Sequence, residues 1–141
     1  MKSSWVDVLV FDLDDTLRPR NQSMPFLEVK QLLTGLKQAG YLLALASLNE
    51  DAESDLAVLG LQPFFDCVQC SLQDTKYDML KKIMEHFNVP VERMVFFDDI
   101  MSHVLEARAL GITSVLINGR TGVNQHYVDI GIKRVTAQHE K

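Results

Sequence analysis

The stretch VFDLDDTL, Val10 to Leu17, turns from an apolar run into three acids and a threonine. The run from Val6 to Phe11 reads as a buried strand, and Asp12, Asp14 and Asp15 fall where that strand must end. Carboxylates crowded against an apolar core repel one another and resist losing water, so they need a counter-charge. A hard cation with oxygen ligands meets that need. A solvated turn with a helix cap is the plainer reading, although turns rarely gather three acids. A second pair, Asp98-Asp99, ends another apolar run, Met94–Phe97. Acids at two strand ends can meet at the carboxyl edge of one parallel sheet, where open α/β folds place their active sites.

These groups need elements to hold them. Strand-like runs cover Val6–Phe11, Tyr41–Ala46, Cys67–Cys70, Met94–Phe97 and Ser114–Ile117. Phe26, Val29, Leu32, Leu33 and Leu36 make a helical face that stops at Gly40. Further helices are expected over Asp51–Leu59, Asp78–Phe87 and Ser102–Leu110. Strand alternating with helix predicts an α/β fold. The expectation is a single domain over residues 1–141: a Rossmann-like three-layer α/β/α sandwich on a five-stranded parallel sheet with right-handed crossovers. Ser47 then ends the second strand and Lys76 opens the third helical pattern. Taken alone, Ser47 reads as the N-cap of a helix from Asn49 to Leu59, and Lys76 as a solvated helix residue. Beyond Gly119 the chain turns polar and is expected to end in a short helix or a frayed segment.

Composition narrows the function. A chain of 141 residues can bury about two thirds of its extended surface. No apolar run approaches the ~20 residues of a membrane span. The start, Met1-Lys2-Ser3-Ser4-Trp5, lacks an apolar leader, so a cytoplasmic, reducing location is expected. The net charge of −5 speaks against a nucleic-acid-coating surface. Cys67 and Cys70 are spaced as a redox pair or half a zinc site. Zinc needs about four close ligands, which the histidines do not supply, and a redox pair usually opens a helix rather than a strand. Ordinary reduced core cysteines are the expectation.

The string DLDDT (Asp12–Thr16) resembles the DxDxT signature of the haloacid-dehalogenase-like phosphohydrolases. Ser47, Lys76 and Asp98-Asp99 follow in that family's order, and the resemblance runs from about Val6 to Gly119. In detail the chain is similar to the small magnesium-dependent phosphatases, through MVFFDD (Met94–Asp99) and LGIT (Leu110–Thr113). The resemblance implies a Mg²⁺-dependent phosphomonoester hydrolase with an aspartyl-phosphate intermediate. Asp12 would be the nucleophile. Asp14 would protonate the leaving oxygen and later activate water, with neighbouring carboxylates helping it to hold its proton. Mg²⁺ would take the Asp12 carboxylate, the Asp14 backbone carbonyl and a motif-four acid. Asp99 is favoured as that ligand and Asp98 as a partner of Lys76, and the sequence leaves the choice open. Ser47 and Lys76 would bind the phosphoryl oxygens, with backbone N–H groups of Leu13, Asp14 and Leu48 completing an anion nest. Thr16 is expected to tighten the loop by hydrogen bonding.

In the resembled family, specificity caps enter before the serine strand or between serine and lysine. Here a loop and one helix fill Leu17 to Tyr41, and a helix and a short strand fill Ser47 to Lys76. No residues remain for a cap, so the cleft is expected to be open. His103 stands where relatives commonly carry asparagine and is expected to tie the loop. Arg18 and Arg20 are expected at the mouth, either solvated or gripping an anionic substrate, with Asn49 and Arg120 weaker candidates. An open site suits phosphoproteins, phosphotyrosine-like aryl phosphates or phosphorylated sugars on proteins, handled by a monomer or weak dimer without a membrane partner. Alternatives are a metabolite phosphatase capped by an oligomer partner, a polynucleotide end phosphatase, and a non-catalytic phospho-binding regulatory module. The acidic balance disfavours the second, and the intact Asp12, Asp14 and Lys76 set the third.

Overall fold

A computed structural model describes residues 1–140 of the chain. Five strands alternate with five helices: β1 (Val8–Phe11), α1 (Val29–Ala39), β2 (Leu42–Ser47), α2 (Ala52–Leu59), β3 (Cys67–Cys70), α3 (Lys76–Phe87), β4 (Met94–Asp98), α4 (Met101–Leu110), β5 (Thr113–Leu116) and α5 (Gln125–His139). All strand pairs are parallel, in the order β3-β2-β1-β4-β5. The connections therefore run one way from β1 to β3 and the other way from β4 to β5. The turning point lies between β1 and β4, the place where doubly wound sheets open a crevice.

Alternate residues of each strand enter two cores. Leu9, Phe11, Leu43, Leu45, Val95 and Phe97 pack with Leu33, Leu56 and Val128 of α1, α2 and α5. Val8, Val10, Ala44, Ala46, Met94 and Phe96 pack with Met79, Leu80 and Ala107 of α3 and α4. Helices on both faces explain why these strands read as unbroken apolar runs instead of alternating ones. The two central strands hold register through Phe11 and Phe97, which pair across the ladder and stack with ring centroids 5.1 Å apart. That contact lies immediately beneath the acids of both strands.

The tail departs from expectation. Instead of a short or frayed end, α5 runs for 15 residues and buries Val128, Gly131 and Val135. Asn124 caps it, its side-chain oxygen accepting from the Tyr127 N–H at 3.1 Å. Gly131 lets the helix lie directly on the sheet, since a Cβ there would come within 2.5 Å of Val95. Cys67 and Cys70 are free and pack into opposite cores, so they cannot form a pair with each other. Burial pushes the Cys67 thiol up, which suits an inert core residue. Among the described residues no helix is long and apolar enough to cross a membrane.

Candidate active site

The acid loop is shaped by its two leucines. Leu13 and Leu17 are fully buried, and the Leu13 carbonyl accepts N–H groups from Thr16, Leu17 and Arg18 at 3.2, 2.9 and 3.3 Å. Asp15 adopts a φ of 60°, a left-handed conformation that aspartate tolerates better than most side chains. The chain thus curls over its own leucines and leaves Asp12 and Asp14 facing the crevice.

Asp12 follows β1 and donates its backbone N–H to the Phe97 carbonyl at 3.1 Å, so its height relative to β4 is fixed. The residue is 7% exposed, and its carboxylate takes Lys76 Nζ at 2.8 Å and Thr16 Oγ1 at 3.4 Å. Burial holds the Asp12 carboxyl above its usual range despite Lys76, and the nearby Asp98 charge acts in the same direction. Thr16 has the loop-tightening position foreseen for it. Leu13 turns its side chain into the core while its N–H reaches the Asp12 carboxylate.

Lys76 is the first residue of α3, whose start is set by Thr75 Oγ1 accepting from the Asp78 N–H at 3.0 Å. Only 1% exposed, it is no solvated helix residue. Its ammonium meets Asp12 Oδ1, the Ala46 carbonyl and Asp98 Oδ2, the last at 3.2 Å, so all three donors face protein acceptors. Its first task is therefore to neutralise carboxylates. A phosphoryl oxygen would have to displace one of those partners.

Asp98 is engaged on every side. Its Oδ1 accepts the Ile100 N–H at 3.0 Å, and its Oδ2 faces Lys76 and His103 Nδ1, the latter at 3.0 Å. Burial would raise this carboxyl, but the His103 hydrogen bond and the Lys76 charge outweigh it and hold it below the usual range. The same contact with Asp98 raises His103. His103 has the loop-tying position expected of it, joining the start of α4 to the end of β4.

Asp99 is the opposite case. Its Oδ1 is buried and has no hydrogen-bond partner among the described residues. Burial, then the charges of Asp12 and Asp98, push its carboxyl up to about 7. Gly119 lies against it, and a Cβ at that position would come within 3.1 Å of Asp99 Oδ2. Asp12, Asp98 and Asp99 each offer an oxygen within 4.8 Å of the others. Asp12 and Asp98 share one ammonium, Asp99 beside them has an unpartnered oxygen, and every donor is hard. This set fits a divalent cation such as Mg²⁺. A bound cation would also return Asp99 to its charged form.

The remaining site residues surround a cleft of about 440 Å³. Asp12, Asp14, Ser47, Leu48, Lys76 and His103 line it, with Arg20, Leu72 and Ile100 at its rim. Ser47 ends β2 and is buried. It is not a helix cap: α2 begins at Ala52, and Ser47 Oγ instead accepts the Asn49 N–H at 3.1 Å in a local turn. Among the described residues no cap domain is inserted between β1 and β2 or between β2 and β3, and α5 packs against β4 and β5.

Two expectations change. The carboxylate crowding foreseen around Asp14 falls on Asp12 and Asp99; Asp14 instead faces Arg18, with Nε at 3.1 Å and Nη2 at 3.0 Å from its Oδ1. Arg18 is neither solvated nor free to grip substrate. It is 6% exposed and bound on both sides, because the curl over Leu13 turns it back beneath Asp14. Its second partner, Asp55 on α2 at 2.8 Å, was not foreseen from the sequence. The charge of Asp55 on the polar side of a helix carries no local mark of that role. Arg20 is exposed and pairs with Asp15 at 3.4 Å, while Asn49 reaches Asp55 at 3.0 Å. Arg120 donates its backbone N–H to Asn118 and has no side-chain contact with the acids among the described residues.

Residues 16–117 match the family model described as haloacid dehalogenase-like hydrolase. No curated protein sequence matches the chain. Among solved structures, an uncharacterized protein from Listeria monocytogenes is similar at a TM-score of 0.72 and 14% identity, over 85% of this chain and 83% of its own. A haloacid dehalogenase-like hydrolase from Streptococcus pneumoniae gives 0.71 and 15%, over 95% and 98%. CbbY from Rhodobacter sphaeroides, solved in complex with phosphate, gives 0.70 and 14%, over 86% and 90%. At these identities the structural likeness speaks for the fold.

Proposed function

The chain belongs to the haloacid dehalogenase-like hydrolases, and from that membership we propose that it hydrolyses phosphomonoesters with Mg²⁺ through an aspartyl phosphate on Asp12. The observation that carries this reading is the pairing of a buried, lysine-held Asp12 with an Asp99 oxygen that lacks any partner among the described residues. The phosphate held by the similarly folded CbbY supports the same ligand chemistry.

In this reading Asp12 attacks phosphorus and the P–O bond to the leaving group breaks, leaving an acyl phosphate on Asp12. Asp14 gives its proton to the departing oxygen. It then takes a proton from the water that attacks phosphorus, so Asp12 is released with inorganic phosphate. Lys76 opposes the effect of burial on the Asp12 carboxyl and holds it in place, and Ser47 borders the phosphoryl site. Asp12, the Asp14 carbonyl and Asp99 would hold Mg²⁺, with Asp98 anchoring Lys76 and His103. When bound, Mg²⁺ screens the repulsion between an anionic nucleophile and an anionic phosphate. The uncovered cleft, with exposed Leu72 at its rim, favours bulky phosphorylated substrates such as phosphoproteins, which exclude water themselves.

The test is Asp12→Asn with an aryl phosphate and Mg²⁺. Turnover should fall on the order of 10⁴-fold or more while the circular dichroism spectrum is retained. Activity above a tenth of wild type would refute the nucleophile, and full activity in chelator would refute the metal.

A further inference from the structure

Asp55 sits on α2, outside the acid cluster, yet one of its oxygens organises both neighbours of Asp14. Asp55 Oδ2 accepts Arg18 Nη2 at 2.8 Å and Asn49 Nδ2 at 3.0 Å. Arg18 in turn places Nε and Nη2 on a single oxygen of Asp14, Oδ1. The other oxygen, Oδ2, has among the described residues only a long approach of 3.5 Å from Asn49. Arg18 is further pinned by donating to the Gln22 carbonyl at 3.3 Å and is nearly inaccessible to water.

A guanidinium carries only donors, so an oxygen that accepts from it cannot also present a proton toward it. Arg18 therefore assigns the two oxygens of Asp14 to different tasks: Oδ1 is the anchored one, and Oδ2 is the one left to carry the transferable proton. A carboxyl group with two equivalent torsional positions would otherwise lose this distinction by rotating. We infer that Asp55 is a positioning residue for the proposed phosphatase reaction. Through Arg18 and Asn49 it holds Asp14 with Oδ2 as the proton-carrying oxygen. The inference rests on the phosphomonoesterase reading and adds to it a residue that touches neither substrate nor metal.

The geometry gives a reason for Arg18 to lie buried between Asp14 and the partly exposed Asp55. Replacing a buried pair by apolar groups is often neutral or stabilising, and a partly exposed pair contributes little, so stability alone gives Arg18 and Asp55 little reason to be there. Orientation does. A misplacement of about 1 Å can lower a rate roughly 100-fold even when the displaced group stays in the site.

The experiment compares kcat/KM for an alkyl phosphate, whose leaving group needs a proton, with that for nitrophenyl phosphate, which barely does. Asp14→Asn comes first. It should widen the alkyl-to-aryl gap by about 10²–10⁴-fold. Asp55→Asn should widen it in the same direction by about 10–100-fold, chiefly in kcat, and Asp55→Glu should restore part of the loss. Arg18→Met with Asp55→Leu removes the clamp and leaves neither Arg18 nor Asp55 as an unpaired charge, and should reproduce the selective loss if Asp55→Asn does not fold. No wild-type turnover of either ester would sink the phosphatase reading. An Asp14→Asn variant that loses both substrates equally would sink the acid assignment. A widened gap in Asp14→Asn, with none in the folded Asp55 and double variants, overturns this inference alone.

Discussion

Strand β1 has an aspartate at each end, Asp7 just before it and Asp12 just after it. Asp7 lies at the amino edge of the sheet and is partly exposed. Lys2 sits 2.8 Å from it, and Arg93 approaches with two nitrogens, one of them at 3.2 Å. The Arg93 hydrogen bond, with Lys2 adding to it, outweighs the effect of burial and lowers this carboxyl to about 2. Asp12 lies at the carboxyl edge, buried, and shares one ammonium with Asp98 while Asp99 stands close by. There the carboxyls of Asp12 and Asp99 are raised instead. One strand thus carries the same residue type in two opposite electrostatic states. The amino edge has cations in excess of acids and serves the fold. The carboxyl edge is short of positive charge, and that shortfall is where a metal-dependent chemistry can enter.

Three measurements would break or sharpen this contrast. The largest effect should come from Lys76→Met in chelator, which leaves Asp12 and Asp98 buried without their shared cation. A loss of about 3–5 kcal/mol in urea unfolding is expected. A loss no greater than that of an amino-edge variant would mean that burial does not distinguish the two edges. Next, Mg²⁺ at about 100 times its dissociation constant should stabilise the wild type by about 2.7 kcal/mol. Asp99→Asn should remove most of that gain. An undiminished shift in the thermal transition would place the cation elsewhere.

The smallest effect belongs to Asp7→Asn, which should cost about 1 kcal/mol, because a partly exposed pair is screened by water. Its pH dependence has a defined sign. The folded value of about 2 lies below the ordinary 3.8, so the stabilisation is whole above pH 3.8 and disappears as pH falls toward 2. Asp7→Asn should therefore flatten the acid limb of a stability curve and leave the proposed phosphatase activity unchanged. A variant that keeps the full acid limb would show that Asp7 is not the titrating group.

The fold was largely legible because helices cover both faces of the sheet. Residues such as Val8–Phe11 and Met94–Phe97 then have no polar side to show, and their continuity announces them. The end of the chain was less legible. In α5 the closest contact with the sheet is made by Gly131, which has no side chain to register as apolar. Asn124 as a cap and the seven-residue spacing of Val128 and Val135 were the available signals. The acids, Ser47 and Lys76 could be placed because each ends a strand or starts a helix. Arg18 could not, since its burial follows from the curl anchored by Leu13 and Leu17, a loop conformation that periodicity does not encode. The binding of Arg18 to Asp55 joins residues with no patterned relation in the chain.

The central place of β1 also governs the order in which the molecule can come together during synthesis. Val8 pairs on one side with Leu42, made soon after it, and on the other with Met94, made much later. Until the ribosome has released β4, the acid loop has neither the Phe97 carbonyl that levels Asp12 nor the Asp98 that fixes Lys76. Val123, later still, donates its N–H to the Thr16 carbonyl at 2.9 Å. Such distant pairings slow folding, because a long loop must close before any contact rewards it. A nascent chain therefore exposes its acidic loop long before that loop can bind or react. Activity arrives only as the last third of the polypeptide settles against the first strand.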